Sequence, residues 1–127
     1  MKTLLIVDDE FALVETLKDF LEYEGYRVET ACNGHEALAE IRRSRPDLVL
    51  TDLMMPVMGG KELLVAMRED PELAAVPVIL MSAARRQIAI PAAEELPVFS
   101  AFLRKPFLLK PLLELVVAEI GPGERVH

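Results

Sequence analysis

The chain has 127 residues and a formal net charge of −7 at pH 7, a length that suits one domain and a charge that disfavours direct contact with nucleic acid. The acidity is uneven, with 12 acids and 6 bases in residues 1–60 against 9 and 8 in residues 61–127. Hydrophobic residues make up 52% of the chain, yet no apolar run approaches the roughly 20 residues that cross a bilayer, so no membrane role is expected.

The apolar run Leu4-Leu5-Ile6-Val7 predicts a strand that ends at Asp8-Asp9. Glu10 then opens a helical pattern in which Leu13, Leu17, Phe20 and Leu21 recur until Gly25, a residue placed to terminate it. A strand from Arg27 to Ala31 leads through Asn33-Gly34 into a helix carrying Ala37, Leu38 and Ile41, which the turn at Ser44 to Pro46 ends. The next strand, Leu48 to Thr51, reaches Asp52, and a loop through Pro56, Gly59 and Gly60 precedes a helix with Leu63, Leu64 and Met67. Pro71 and Pro77 bracket the link to the next strand, and the apolar run Val76 to Met81 closes on Ser82.

Between Arg85 and Pro97 a fourth helix is expected, but Pro91 and Pro97 interrupt it. Proline costs about 3 kcal/mol inside a helix, so this one is expected to be short, displaced or irregular, with raised mobility from Arg85 to Leu96. A strand from Val98 to Leu103 is followed by Lys105-Pro106, and the last helix places Leu109, Leu112, Leu113, Val116 and Ile120 on one face. Gly121-Pro122-Gly123 closes a single domain of residues 1–120, leaving 121–127 as a flexible tail in which Glu124 to His127 fray.

Strands alternating with helices indicate an α/β fold with a parallel sheet covered on both faces. If the strands that end at Asp8-Asp9 and Asp52 are neighbours, their carboxyl ends lie side by side and three carboxylates converge into an acidic pocket suited to magnesium. Asp8 and Asp9 alone would equally suit a helix start, where acidic side chains cap and favour the positive end. Ser82 and Lys105 end two further strands in the same way, so one edge of the sheet would carry three acids, a hydroxyl and an ammonium.

With LIVDDE, TDLMMPVMGG, MSAA and FLRKPF in this order, the chain resembles the receiver domain of two-component response regulators over about residues 2–120, in the single-domain, chemotaxis-regulator-like form. The resemblance implies a flavodoxin-like, doubly wound (βα)5 sandwich whose five parallel strands run in the order 2-1-3-4-5. It further implies Mg2+ held by Asp9 and Asp52 directly, by Asp8 through water and by the backbone carbonyl of Met54. Asp52 would be the nucleophile that takes a phosphoryl group from a phosphohistidine or a small phosphodonor, with Lys105 pairing with one phosphoryl oxygen and the Ser82 hydroxyl with another. Phe102 matches the aromatic that turns inward when the Ser82 loop closes, and Pro106 matches a position that follows a cis bond.

The implied partners are a sensor histidine kinase or histidine phosphotransfer protein upstream and an effector protein downstream, bound on the face made by the fourth helix, fifth strand and fifth helix. The chain would act as a monomer or a phosphorylation-dependent dimer, since Leu108, Leu109 and Leu112 do not all fit one buried face. It would be a switch whose only chemistry is its own phosphorylation and dephosphorylation, rather than an enzyme acting on other substrates. Departures from the family pattern fall at Gly59-Gly60, where an acidic or polar residue usually precedes the second glycine, and at Arg85 to Pro97.

Three other functions stay in view. A haloacid-dehalogenase-like phosphatase would need a second aspartate where Met54 stands, and a flavin-binding flavodoxin would need a hydroxyl- and glycine-rich loop in place of Asp8-Asp9-Glu10. A scaffold receiver that is never phosphorylated has no need of the full set Asp8, Asp9, Asp52, Ser82 and Lys105. Met1-Lys2-Thr3 runs directly into a strand with no secretory signal, so a cytoplasmic location is expected. Cys32, the one cysteine, is expected to be a small, partly buried apolar residue. His35, Arg42-Arg43-Arg45 and Arg85-Arg86 are expected to be solvated helix residues.

Overall fold

In the computed structural model, which describes residues 1–92 and 94–125, the elements β1 (Thr3–Val7), α1 (Phe11–Tyr23), β2 (Arg27–Ala31), α2 (Gly34–Ser44), β3 (Leu48–Asp52), α3 (Gly60–Glu69), β4 (Val78–Ser82), α4 (Arg86–Ala89), β5 (Ala101–Arg104) and α5 (Leu109–Ile120) alternate along the chain. The strands are all parallel, in the order β2-β1-β3-β4-β5, as expected. Every residue of β3 and β4 is buried, which is why both read as unbroken apolar runs: helices cover the sheet on both sides. Alternation then divides the side chains between two cores. Leu4, Ile6, Leu48, Leu50, Ile79 and Met81 pack against Val14, Leu17 and Leu21 of α1 and Leu112 and Val116 of α5. Leu5, Val7, Val49, Val78 and Leu80 pack against Ala37 and Ile41 of α2 and Leu63, Leu64 and Met67 of α3. At about 1.5–3 kcal/mol for each fully buried large aliphatic side chain, these two layers hold the sheet in register.

Local signals set the ends of the elements. Asn33 caps α2, its side chain accepting from the Glu36 N–H at 2.8 Å, and Gly25 takes a φ of +94° where the chain leaves α1. β4 starts at Val78, directly after Pro77, which has no N–H for the ladder, and the Val76 carbonyl accepts from Arg68 at 2.8 Å. β5 starts at Ala101 rather than Val98. Arg68 also donates to the Val98 carbonyl at 2.9 Å, the Val98 side chain points to solvent at 81% exposure, and the sheet is rejoined only when the Ser100 N–H donates to the Val78 carbonyl at 2.8 Å.

The fourth helix is a single turn, Arg86–Ala89, and residues 90–92 and 94–100 form no helix or strand, in keeping with Pro91 and Pro97. α3 reaches across to this segment through Lys61, 2.8 Å from Glu94, and through Arg68. Residues 121–125, expected as part of a flexible tail, lie against the turn after α1: the Tyr26 hydroxyl donates to the Gly121 carbonyl at 2.6 Å and the Glu124 N–H to the Gly25 carbonyl at 3.0 Å. Arg125 sits over the Tyr23 ring, 4.5 Å from its centroid. His127 lies outside the described residues. Among the described residues no helix is long and apolar enough to cross a membrane.

Candidate functional site

The strand ends meet because the parallel ladder runs one step past each strand. The Asp8 N–H donates to the Ala31 carbonyl at 3.1 Å, that of Leu53 to Met81 at 2.9 Å and that of Lys105 to Ser82 at 2.7 Å. These bonds bring the loops after β1, β3, β4 and β5 to one edge, where β1 and β3 are neighbours and the winding of the sheet reverses, the place where sites form in open α/β sheets. A shallow cavity of about 400 Å³ there is lined by Asp9, Glu10, Asp52, Met54, Ser82, Ala83, Ala84 and Lys105.

Asp8, Asp9 and Asp52 each offer a carboxylate oxygen, all within 4.8 Å of one another. Asp8 and Asp52 are buried, at 2% and 6% exposure, whereas Asp9 is exposed. The Lys105 ammonium lies 2.6 Å from Asp8 Oδ2 and 3.4 Å from Asp52 Oδ1. Asp8 Oδ1 accepts from the Glu10 N–H at 2.9 Å, so both oxygens of this buried carboxylate are matched. Asp52 is less well compensated: burial, the largest influence, pushes its carboxyl up to about 6, with Lys105 pulling it down and Asp8 and Asp9 pushing it further up. Burial works against the Lys105 ammonium, but hydrogen bonds to Asp8 and Glu10 and the charge of Asp52 outweigh it and raise its pKa above the ordinary lysine value.

Three carboxylates against one ammonium leave an oxygen-lined, net-negative pocket, and such a set fits a hard divalent cation that keeps part of its water. Ser82 is buried, and its Oγ accepts from the Ala84 N–H at 3.1 Å. Phe102 pairs with Leu80, two residues before Ser82, so alternation puts it on the same face of the sheet as Ser82; it is half-buried against the core beneath α2 and α3. The Lys105-Pro106 bond is cis. Asp8, Asp9, Asp52, Met54, Ser82, Phe102 and Lys105 therefore line or adjoin one edge, with Met54 on the open side of the cavity at 73% exposure.

Sequence reasoning used Glu10 only as the start of a helix, and the structure brings its carboxylate to 3.1 Å from Lys105; an acid directly after the Asp8-Asp9 pair was the available signal. The backbone packs closely at Gly59-Gly60. A Cβ at Gly60 would stand 2.3 Å from the Asp52 carbonyl oxygen and one at Gly59 2.7 Å from that of Leu53, so both glycines permit close backbone packing. Cys32 is exposed, not partly buried, because β2 ends at Ala31 and turns it outward beside Glu36. His35 is exposed on α2.

Residues 4–117 match the response regulator receiver domain. The chain is 33% identical over 121 residues to the DNA-binding response regulator MtrA of Mycolicibacterium smegmatis, covering 95% of this chain and 51% of MtrA; it spans about a third of the length of other curated relatives it matches. Among solved structures, the chemotaxis response regulator CheY4 of Vibrio cholerae is 29% identical with a TM-score of 0.81, over 94% of this chain and 99% of that one. The response regulator TrrA of Thermotoga maritima, in complex with Mg2+ and BeF, is 31% identical with a TM-score of 0.79, over 94% of this chain and all of that one, 100%. A doubly wound fold with its acids and lysine at one sheet edge, and a family match that runs from β1 into α5, lead to the same result: the chain belongs to the response regulator receiver domain family.

Proposed function

We propose that this receiver accepts a phosphoryl group on Asp52 in the presence of Mg2+, from the phosphohistidine of a sensor kinase or phosphotransfer protein or from a small phosphodonor. The observation that carries this reading is Asp52 itself: a buried carboxylate with one oxygen on Lys105, facing a cavity lined also by Asp9 and Ser82, with an Asp8 oxygen within 4.8 Å. Its carboxyl, pushed up to about 6, remains mostly ionised at neutral pH and is more basic than an ordinary aspartate. That suits a nucleophile at phosphorus. In the transfer the Asp52 oxygen bonds to phosphorus as the bond from phosphorus to the donor's ring nitrogen breaks, and the electron pair returns to the ring.

Asp9 and Asp52 would hold the metal directly, Asp8 through water, with the Met54 carbonyl completing the protein ligands; bound there, Mg2+ supplies positive charge to the phosphoryl oxygens. Lys105 would shift from its contact with Asp52 to a phosphoryl oxygen, at a distance already within reach. The Ser82 hydroxyl, which accepts from Ala84, keeps its own proton to donate to a second phosphoryl oxygen. Closing that contact would draw the β4–α4 loop inward and let Phe102 turn toward the space it leaves. Because α4 is one turn long, the partner face would be formed by residues 86–92 and 94–100 together with β5 and α5.

Next to Lys105, an apolar groove lined by Leu13, Leu17, Pro106, Phe107 and Leu109 offers a docking surface for the phosphodonor beside the acceptor. The domain carries a net charge of −7, so any contact with DNA would be made by an attached or separate effector, and the domain itself would act as a switch in the cytoplasm, as a monomer or a phosphorylation-dependent dimer. Titration with beryllofluoride, a mimic of the aspartyl phosphate, tests the reading. Amide shifts at Asp52, Ser82 and Lys105 that need Mg2+ are expected, and no shift at these residues with both reagents present would refute it.

A further inference from the structure

We propose that Gly34, at the start of a helix that supplies no carboxylate to the site, is a positioning residue for the metal-binding loop of the phosphoacceptor site; this rests on the reading of Asp52 and Met54 above. The loop between β3 and α3 contains a strained turn. The Met58 N–H donates to the Pro56 carbonyl at 2.9 Å across Val57, whose φ is +72°. A bond spanning two residues around a positive φ makes a γ-turn of the rare, strained hand, and a β-branched residue in that region is an outlier that persists only where its surroundings hold it. Val57 and Met54 are 85% and 73% exposed, so neither side chain packs the turn in place.

The holding contact comes from α2. Gly34 is the first residue of that helix, so its N–H has no partner within it, and it donates instead to the Met58 carbonyl at 2.8 Å. The approach leaves no room for a side chain: a Cβ on residue 34 would stand 2.7 Å from the Met58 carbonyl oxygen and 2.8 Å from Met58 Cγ. At its other end the loop is fixed by the Gly60 N–H on the Leu53 carbonyl at 3.0 Å. The Met54 carbonyl lies on the stretch between these two anchors. A methyl at residue 34 therefore pushes the Met58 turn outward and releases the stretch that presents Met54 to the metal, without touching any carboxylate. Alanine is the better helix former, so without this collision the substitution would only stabilise α2.

The test compares the full chain with Gly34→Ala in three measurements: Mg2+ affinity by calorimetry, phosphorylation rate from acetyl phosphate at saturating Mg2+, and amide exchange at Val57 and Met58 without metal. Removing an outer support of a metal ligand weakens binding by about 10- to 100-fold. The expected result is a loss of Mg2+ affinity in that range, faster exchange at both amides and a nearly unchanged rate at saturation. Gly34→Ala/Met58→Ala, which removes the side chain in front of the new methyl, should regain part of the affinity, and it carries the test if Gly34→Ala alone does not fold. A Gly34→Ala chain with wild-type Mg2+ affinity and exchange would overturn this inference alone. A wild-type chain that neither binds Mg2+ nor accepts a phosphoryl group would overturn the phosphoacceptor reading and this inference with it.

Discussion

Replacing Asp52 by asparagine should stabilise the metal-free fold, and the gain should depend on pH. Asp52 is 6% exposed and its carboxyl is pushed from 3.8 up to about 6, by burial first, with Lys105 opposing and Asp8 and Asp9 adding to the rise. The folded state thus binds this proton more tightly than the unfolded chain. Between pH 3.8 and about 6 the native state carries more protons, so this group's contribution to stability falls as pH rises and levels off above the folded value. At about 1.4 kcal/mol per pH unit, the full penalty is about 3 kcal/mol. An asparagine side chain carries no charge, so Asp52→Asn escapes that penalty. Urea unfolding in EDTA should show the variant about 1–3 kcal/mol more stable at pH 8, allowing for its lost bond to Lys105, and equal to wild type near pH 3.5. Millimolar Mg2+ should narrow the gap by stabilising the wild type alone. A gap that does not change with pH, or an asparagine variant less stable at pH 8, would refute the reasoning.

Other consequences follow from single contacts. Lys105→Met removes the cation from Asp8, whose side chain is fully buried, and should cost about 3 kcal/mol at neutral pH by urea unfolding; an unchanged midpoint would show that Asp8 has other compensation. Val57→Gly relieves a positive φ of +72° and should stabilise the chain by about 1 kcal/mol, whereas a lower melting temperature would mean that the valine side chain contributes packing not accounted for by its exposure. Amide exchange across residues 85–92 and 94–96 should be much faster than in α5, because that stretch has one helical turn and few backbone bonds; protection equal to that of α5 would contradict it.

What the sequence made legible was whatever depends on local pattern. β3 and β4 are buried on both faces, so their apolar runs announced them, and β2 was placed to the residue because Asn33-Gly34 marks the following helix start. Asp8, Asp9, Asp52, Ser82 and Lys105 each sit at the carboxyl end of a strand, so parallel topology alone was enough to gather them. The late start of β5 has a nonlocal cause. Arg68, in the second half of α3, takes carbonyls from Ala74, Val76 and Val98, and no local rule tells that a helix arginine will hold the approaches to two strands. The contacts of residues 121–125 with the α1–β2 turn were hidden for the same reason, since Gly121-Pro122-Gly123 looks like the end of order unless the groove at Gly25 is known. The contact at Gly34 was hidden in the same way, because a helix-start glycine looks ordinary until the Met58 carbonyl is seen against it.

Intact-protein mass after incubation with acetyl phosphate and Mg2+ tests the central claim most directly, with Asp52→Asn and an EDTA-treated sample alongside. One added phosphoryl group is expected on the wild-type chain and none on either control. Addition that persists in Asp52→Asn or without metal, or no addition to wild type together with no beryllofluoride complex, would contradict it.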